Sequence, residues 1–186
     1  MTLFPGDIFF TRGGAWISRA IRWAESRPGN RGEVNHVGLV MTRAEFPDSE
    51  VVEALRKVER HTLKSQYEGT GTAIAVFRPV NLTDAERIQI LRYADEMVGR
   101  KYDYAKIALH LVDGLLGKVF RREVVFARRI ASADHGPICS WVVAQAYASA
   151  GFDFGVPGRA ADPDDIFDFC TTHPEIYARV RDLIPL

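Results

Sequence analysis

The chain has 186 residues, with 24 basic against 24 acidic side chains and an apolar fraction of 47%, enough for one domain around a hydrophobic core and too apolar for disorder. The balanced charge argues against a generic nucleic-acid binder, which needs excess cationic side chains to release counterions, and two cysteines far apart in sequence do not make a disulfide framework. No run approaches a membrane span, and MTLFPGDIFFTRGG lacks the charged leader, apolar block and cleavage site of a signal peptide, so the expected location is cytoplasmic, or periplasmic or secreted if a leader has been removed.

In chain order, residues 7–11 (DIFFT) follow a Pro-Gly turn and read as a short buried strand. Residues 15–25 place Ile17, Ala20, Ile21 and Ala24 on one helical face, with Trp16 and Trp23 as helix packing. After the loop SRPGNRGE, residues 34–41 (VNHVGLVM) and 50–55 (EVVEAL) read as strands, with a weaker candidate at 58–62. A further short strand is expected at 73–77 (AIAVF). Thr83 opens a helix through the capping box T-D-A-E, and Gly99 ends it. Ile107, Leu111, Leu115 and Val119 sit at helical spacing in the next segment, weakened by Gly114 and Gly117. Another helix should start near Cys139 and stop at Gly151, and Asp162-Pro163 should start one more, running through Cys170. Strands then cluster in the first half and helices in the second, which predicts an α+β domain with a central antiparallel sheet.

Cys139 sits in GPICSWVVAQAYASAG, at the first turn of an apolar helix. A free cysteine by itself more often packs than reacts. A helix N-terminus, however, lowers a thiol pKa from its free value of ~8.5, and its N–H groups can face a developing oxyanion. A thiolate nucleophile also needs a base. His36 is a titratable ring in a short apolar strand, an expensive place to bury without a partner. Glu53 is placed similarly in the next strand; if the two strands pair, it can orient the imidazole and hold its tautomer.

These segments carry a resemblance. PGDIFF (5–10) and NHVGLVM (35–41) resemble the PGD-apolar and HVG strands of the NlpC-type cell-wall peptidases, which have a papain-like fold, and GRKYDY (99–104) ahead of ICSWVV resembles their Gly-x-x-Tyr segment and nucleophile-helix start. Here histidine precedes cysteine, the order of the circularly permuted branch, which includes the lecithin:retinol acyltransferase-like proteins. Within that branch the chain resembles most the bacterial permuted papain-like amidases, over residues 5–170, including a helix similar to their LISRLIRW. The resemblance implies a single domain, residues 1–186, with a helical insert at about 104–136 and a central sheet packed on the nucleophile helix. It implies Cys139 as nucleophile, His36 as general base and Glu53 as orienting acid, with Tyr102 lining the substrate site and Asp7 structural or part of the cleft wall. Two features depart from the pattern: the long segment between Tyr104 and Cys139, and Ile138 where unpermuted relatives carry an acidic residue.

The implied activity is cysteine-dependent cleavage of an amide bond in a peptide, cell-wall peptide or lipid, through an acyl-enzyme, with no cofactor and no metal. The alternatives are a lipid-directed acyltransferase or thioesterase on the same fold, a non-catalytic binding module, and a zinc site built from His36, Glu53 and Cys139. Cys170, with Ile166 and Phe169, reads as core, and a Cys139–Cys170 disulfide is disfavoured. His135 reads as a loop residue, since His-x3-Cys alone is a poor zinc signature. His61, His110 and His173 carry no signal beyond surface or cap roles. The insert's apolar stripe with Arg121, Arg122, Arg128 and Arg129 reads as an amphipathic helix over the core, with a lid or transient membrane contact as the alternative.

Overall fold

A six-stranded antiparallel sheet organises the chain in the computed structural model, which describes residues 1–13, 32–101, 138–158 and 161–186. The helix expected over 15–25 with Trp16 and Trp23, the insert with His110, His135 and its arginines, and Tyr102 lie outside the described residues. The strands are β1 (Thr2–Leu3), β2 (Ile8–Arg12), β3 (His36–Val40), β4 (Ala44–Glu45), β5 (Glu50–Ala54), β6 (Val58–Thr62), β7 (Ala73–Pro79) and β8 (Tyr177–Pro185). The helices are α1 (Leu63–Tyr67), α2 (Asp84–Glu96), α3 (Cys139–Ser149) and α4 (Pro163–Thr172). The sheet order is β6-β5-β3-β2-β7-β8, and β1 and β4 form a separate two-stranded ribbon. Among the described residues no helix is long and apolar enough to cross a membrane.

Helix boundaries follow from local chemistry. Thr83 accepts the Glu86 N–H while Glu86 reaches back to the Thr83 N–H, completing the capping box of α2. Asp162 and Asp165 do the same for α4, with Pro163 in its first turn. Thr62 accepts the Ser65 N–H at 3.1 Å and so starts α1 where β6 ends.

Both faces of the central strands are covered, which is why β2 and β3 read as nearly unbroken apolar runs. On one face Ile8, Phe10, Val37, Leu39, Val52, Ala75 and Phe77 pack under residues of α2, α3 and α4. Phe10, Phe77 and Phe167 meet edge to face there, with ring centroids 5.1–5.7 Å apart, and seat α4 on the sheet. The opposite face carries Phe9, Val40, Val51, Ile74 and Val76 and is closed by Leu3, Leu63 and Tyr67.

The sequence pattern predicts no strand in the second half, and the structure adds one there: β8 returns along β7 with Arg179 opposite Phe77 and Tyr177 opposite Pro79. It is an edge strand with only Tyr177 buried, so its side chains carry almost no apolar alternation from which to read a strand. Two long-range ties then fix the elements that matter next. Tyr147 of α3 donates its hydroxyl to the Gly6 carbonyl at 2.6 Å. Asp164 of α4 accepts the Glu33 and Val34 N–H groups at 3.0 Å each, just ahead of β3.

Candidate active site

Helix α3 begins at Cys139 itself. Ile138 is its N-cap, extended at φ −111° and ψ 166°, and supplies no side-chain acceptor. The first N–H groups of the helix are therefore not consumed by a cap, and the Ser140 N–H hydrogen-bonds the Cys139 sulfur. A second donor comes from the sheet. The bonds Val40 N–H to Asp7 C=O and Met41 N–H to Glu50 C=O show that N–H groups alternate sides along β3, with the odd-numbered ones facing β5. Strand β5 pairs with β3 only from Gly38 onward, and the Val37 N–H hydrogen-bonds the sulfur.

His36 opens β3, opposite Thr11 of β2. Gly38 lies opposite Glu53, so His36, Gly38 and Glu53 share one face of the sheet. A Cβ at Gly38 would lie 2.4 Å from the Phe9 ring and 3.0 Å from the Glu53 Cβ. The glycine of the HVG stretch thus lets Phe9 and Glu53 close over the strand beside His36. His36 Nε2 hydrogen-bonds Glu53 Oε2, which leaves Nδ1 as the nitrogen for Cys139. The His36 ring and the Cys139 thiol are hydrogen-bonded to each other.

This contact decides the charges. Burial alone pushes the His36 pKa down, but the adjacent Cys139 sulfur and the Glu53 carboxylate together raise it well above the usual imidazole range. Burial likewise pushes the Cys139 thiol up, yet the His36 ring and the two backbone N–H groups bring it below its ordinary value. Both shifts run in the direction that favours a thiolate beside an imidazolium. For Glu53, burial is opposed by the His36 charge and by hydrogen bonds from three side chains, His36, His61 and Tyr67, and its pKa falls to about 2.

Those donors include two residues without a sequence signal for the site. His61 Nε2 donates to Glu53 Oε1 at 2.6 Å, and the Tyr67 hydroxyl donates to Oε2, the oxygen that also holds His36. The assignment of His61 to a surface or cap role is corrected: it lies opposite Val51 on β6, on the Glu53 face of the sheet and diagonal to it. Its only clue was register, because the run VERHT must be paired on EVVEA before His61 falls beside Glu53. His173, by contrast, caps α4 and stacks on Phe169.

The structure thus brings Cys139, His36 and Glu53 together. Asp7 lies at the other end of β2, fully buried, with both carboxylate oxygens on Arg78 at 2.7–2.9 Å and one also on the Phe4 N–H. It anchors the N-terminal segment and does not face the Cys139–His36 contact. Both cysteines are free. His36 contacts both Cys139 and Glu53, and both Glu53 oxygens accept side-chain donors. Among the described residues no group of three His, Cys, Asp or Glu side chains is arranged to hold an ion.

No family model matches the chain, and no curated protein matches it. A crystal structure described as metalloprotein yiiX from Escherichia coli O157:H7, DUF1105, is similar to it, with a TM-score of 0.65, 18% sequence identity and coverage of 98% of each chain. At that identity the likeness concerns the fold, which the two chains share from end to end.

Proposed function

We propose that this chain is a cysteine-dependent hydrolase of the circularly permuted papain-like, NlpC-type fold, cleaving an amide bond in a peptide, cell-wall peptide or lipid. The observation that carries the reading is the buried contact between Cys139 and His36, with the far ring nitrogen held by Glu53. The motif order PGD, HVG, Gly-x-x-Tyr and Cys-Ser supports it independently.

The thiolate attacks the carbonyl carbon, and the displaced electron pair moves onto the carbonyl oxygen. First-turn N–H groups of α3, that of Cys139 among them, receive the oxyanion. When the tetrahedral species collapses, the C–N bond breaks and the amine leaves with the proton of His36 Nδ1, giving a thioester on Cys139. His36, now neutral, takes a proton from water as its oxygen attacks the thioester, and the thiolate departs as the acid is released. Glu53 holds Nε2–H throughout and offsets the imidazolium charge.

The test is intact-mass analysis of protein quenched after mixing with a panel of peptide amides, lipid amides and lipid esters. An acyl adduct on Cys139 with one of them, absent from Cys139→Ala and accompanied by amine or alcohol release, supports the hydrolase. Transfer to an added acceptor in place of water indicates an acyltransferase. A panel without adduct or turnover, together with a thiol of ordinary reactivity, leaves a binding module.

A further inference from the structure

We infer that His61 is a positioning residue for this chemistry, holding the Glu53 carboxylate by Oε1 in the orientation that presents Oε2 to His36 Nε2; the inference rests on the cysteine-hydrolase reading. The Glu53 side chain is fully enclosed, and its side-chain partners come from three elements: His36 of β3, His61 of β6 and Tyr67 of α1. An ionised carboxylate only accepts hydrogen bonds. Both rings contact it through Nε2, so each must carry its proton there: His36 on Oε2 and His61 on Oε1.

The two oxygens divide the work. Oε2 faces His36 and also takes the Tyr67 hydroxyl, whereas Oε1 has His61 as its side-chain donor. With both oxygens engaged, the carboxylate plane is locked. Without His61, Oε1 becomes a buried anionic oxygen short of a donor, a loss that falls on the charged form. Glu53 then binds a proton more readily, its attraction for the His36 imidazolium weakens, and the proton shared between His36 and Cys139 returns toward sulfur. The cross-strand partner of His61 is Val51, and its side chain is 16% exposed on an edge strand. Tyr67, which also hydrogen-bonds Thr11, acts on the same carboxylate from the helix side.

The experiment is the pH profile of Cys139 alkylation by iodoacetamide, read by peptide mapping so that Cys170 is counted separately, in wild type, His36→Ala, His61→Ala, His61→Gln and Tyr67→Phe. Loss of one donor to a charged group should move the acid limb of the profile upward by roughly one pH unit in His61→Ala. It should move less in Tyr67→Phe and return in His61→Gln, which keeps an N–H donor. A merely structural His61 would lower the melting temperature and leave the limb in place; that result overturns the inference. A wild-type limb that His36→Ala does not displace overturns the hydrolase reading itself and is seen before any His61 variant is consulted. Nitrogen-15 NMR of the wild-type histidines needs no substitution: a His61 ring fixed as the Nε2–H tautomer supports the inference, and one exchanging between tautomers contradicts it.

Discussion

The start of α3 and the end of α4 each hold a buried cysteine, and the two share one hydrophobic cluster. Cys170 is fully buried, and burial alone pushes its thiol far above the ordinary range. Cys139 is 6% exposed and feels the same push, yet its pKa moves the other way. The difference is the company each sulfur keeps. Cys139 has a helix N-terminus, the Val37 N–H at the open end of β3 and the His36 ring; Cys170 sits in the last turn of a helix, where the dipole favours cations over a thiolate. Burial does not make a cysteine inert or reactive. What matters is whether donors and an imidazole are buried with it.

Substitution should split the pair completely. Cys139→Ala is expected to bring turnover to background while leaving the fold intact. Cys170→Ala should keep turnover and lose about 1–2 kcal/mol in denaturant melts, through the small cavity it leaves. Loss of turnover in both variants, with both folded, would erase the distinction.

Glu53→Gln comes next. It keeps the shape and removes the charge that holds the His36 imidazolium, so kcat/KM should fall by roughly 10²–10⁴-fold, by analogy with loss of the orienting acid in triad enzymes. Its alkylation profile should move toward that of a plain thiol. Gly38→Ala acts on the same residue by shape: its methyl group meets the Phe9 ring and the Glu53 Cβ. A loss of about 1–3 kcal/mol from overpacking is expected, with reduced turnover.

A smaller effect separates the sites by pH. The folded-state pKa of Glu53, about 2, lies below its unfolded value of ~4.3. Its contribution to stability is therefore present above pH ~4.3 and is lost as pH falls through 4 toward 2. Denaturant melts across that range should show a decline that Glu53→Gln flattens and Cys170→Ala leaves unchanged.

Much of the scaffold was legible because its signals are local. The capping residues Thr83 and Glu86 mark their own helix, Asp162-Pro163 marks another, and the apolar runs of β2, β3, β5 and β7 announce buried strands. The neighbouring strands of His36 and Glu53 were legible for the same reason. His61 and Tyr67 were not: β6 mixes charged and apolar residues, and Tyr67 reaches Glu53 only because Thr62 caps a one-turn helix at the end of that strand. Strand β8 was missed because an exposed edge writes little hydrophobic pattern into the chain. The meeting of Cys139 with His36 is legible in motif order alone, since no local spacing encodes a contact between residues so remote.

The contact between those two side chains is tested most directly by the pH dependence of Cys139 alkylation in wild type and in His36→Ala. Enhanced reactivity near pH 6 in wild type, lost in His36→Ala, is the expected result, because the His36 ring is the largest of the groups that lower the thiol from the ~8.5 of a free cysteine. Matching profiles in the two proteins, each rising near the free-thiol value, would contradict the ion pair and the catalytic role built on it.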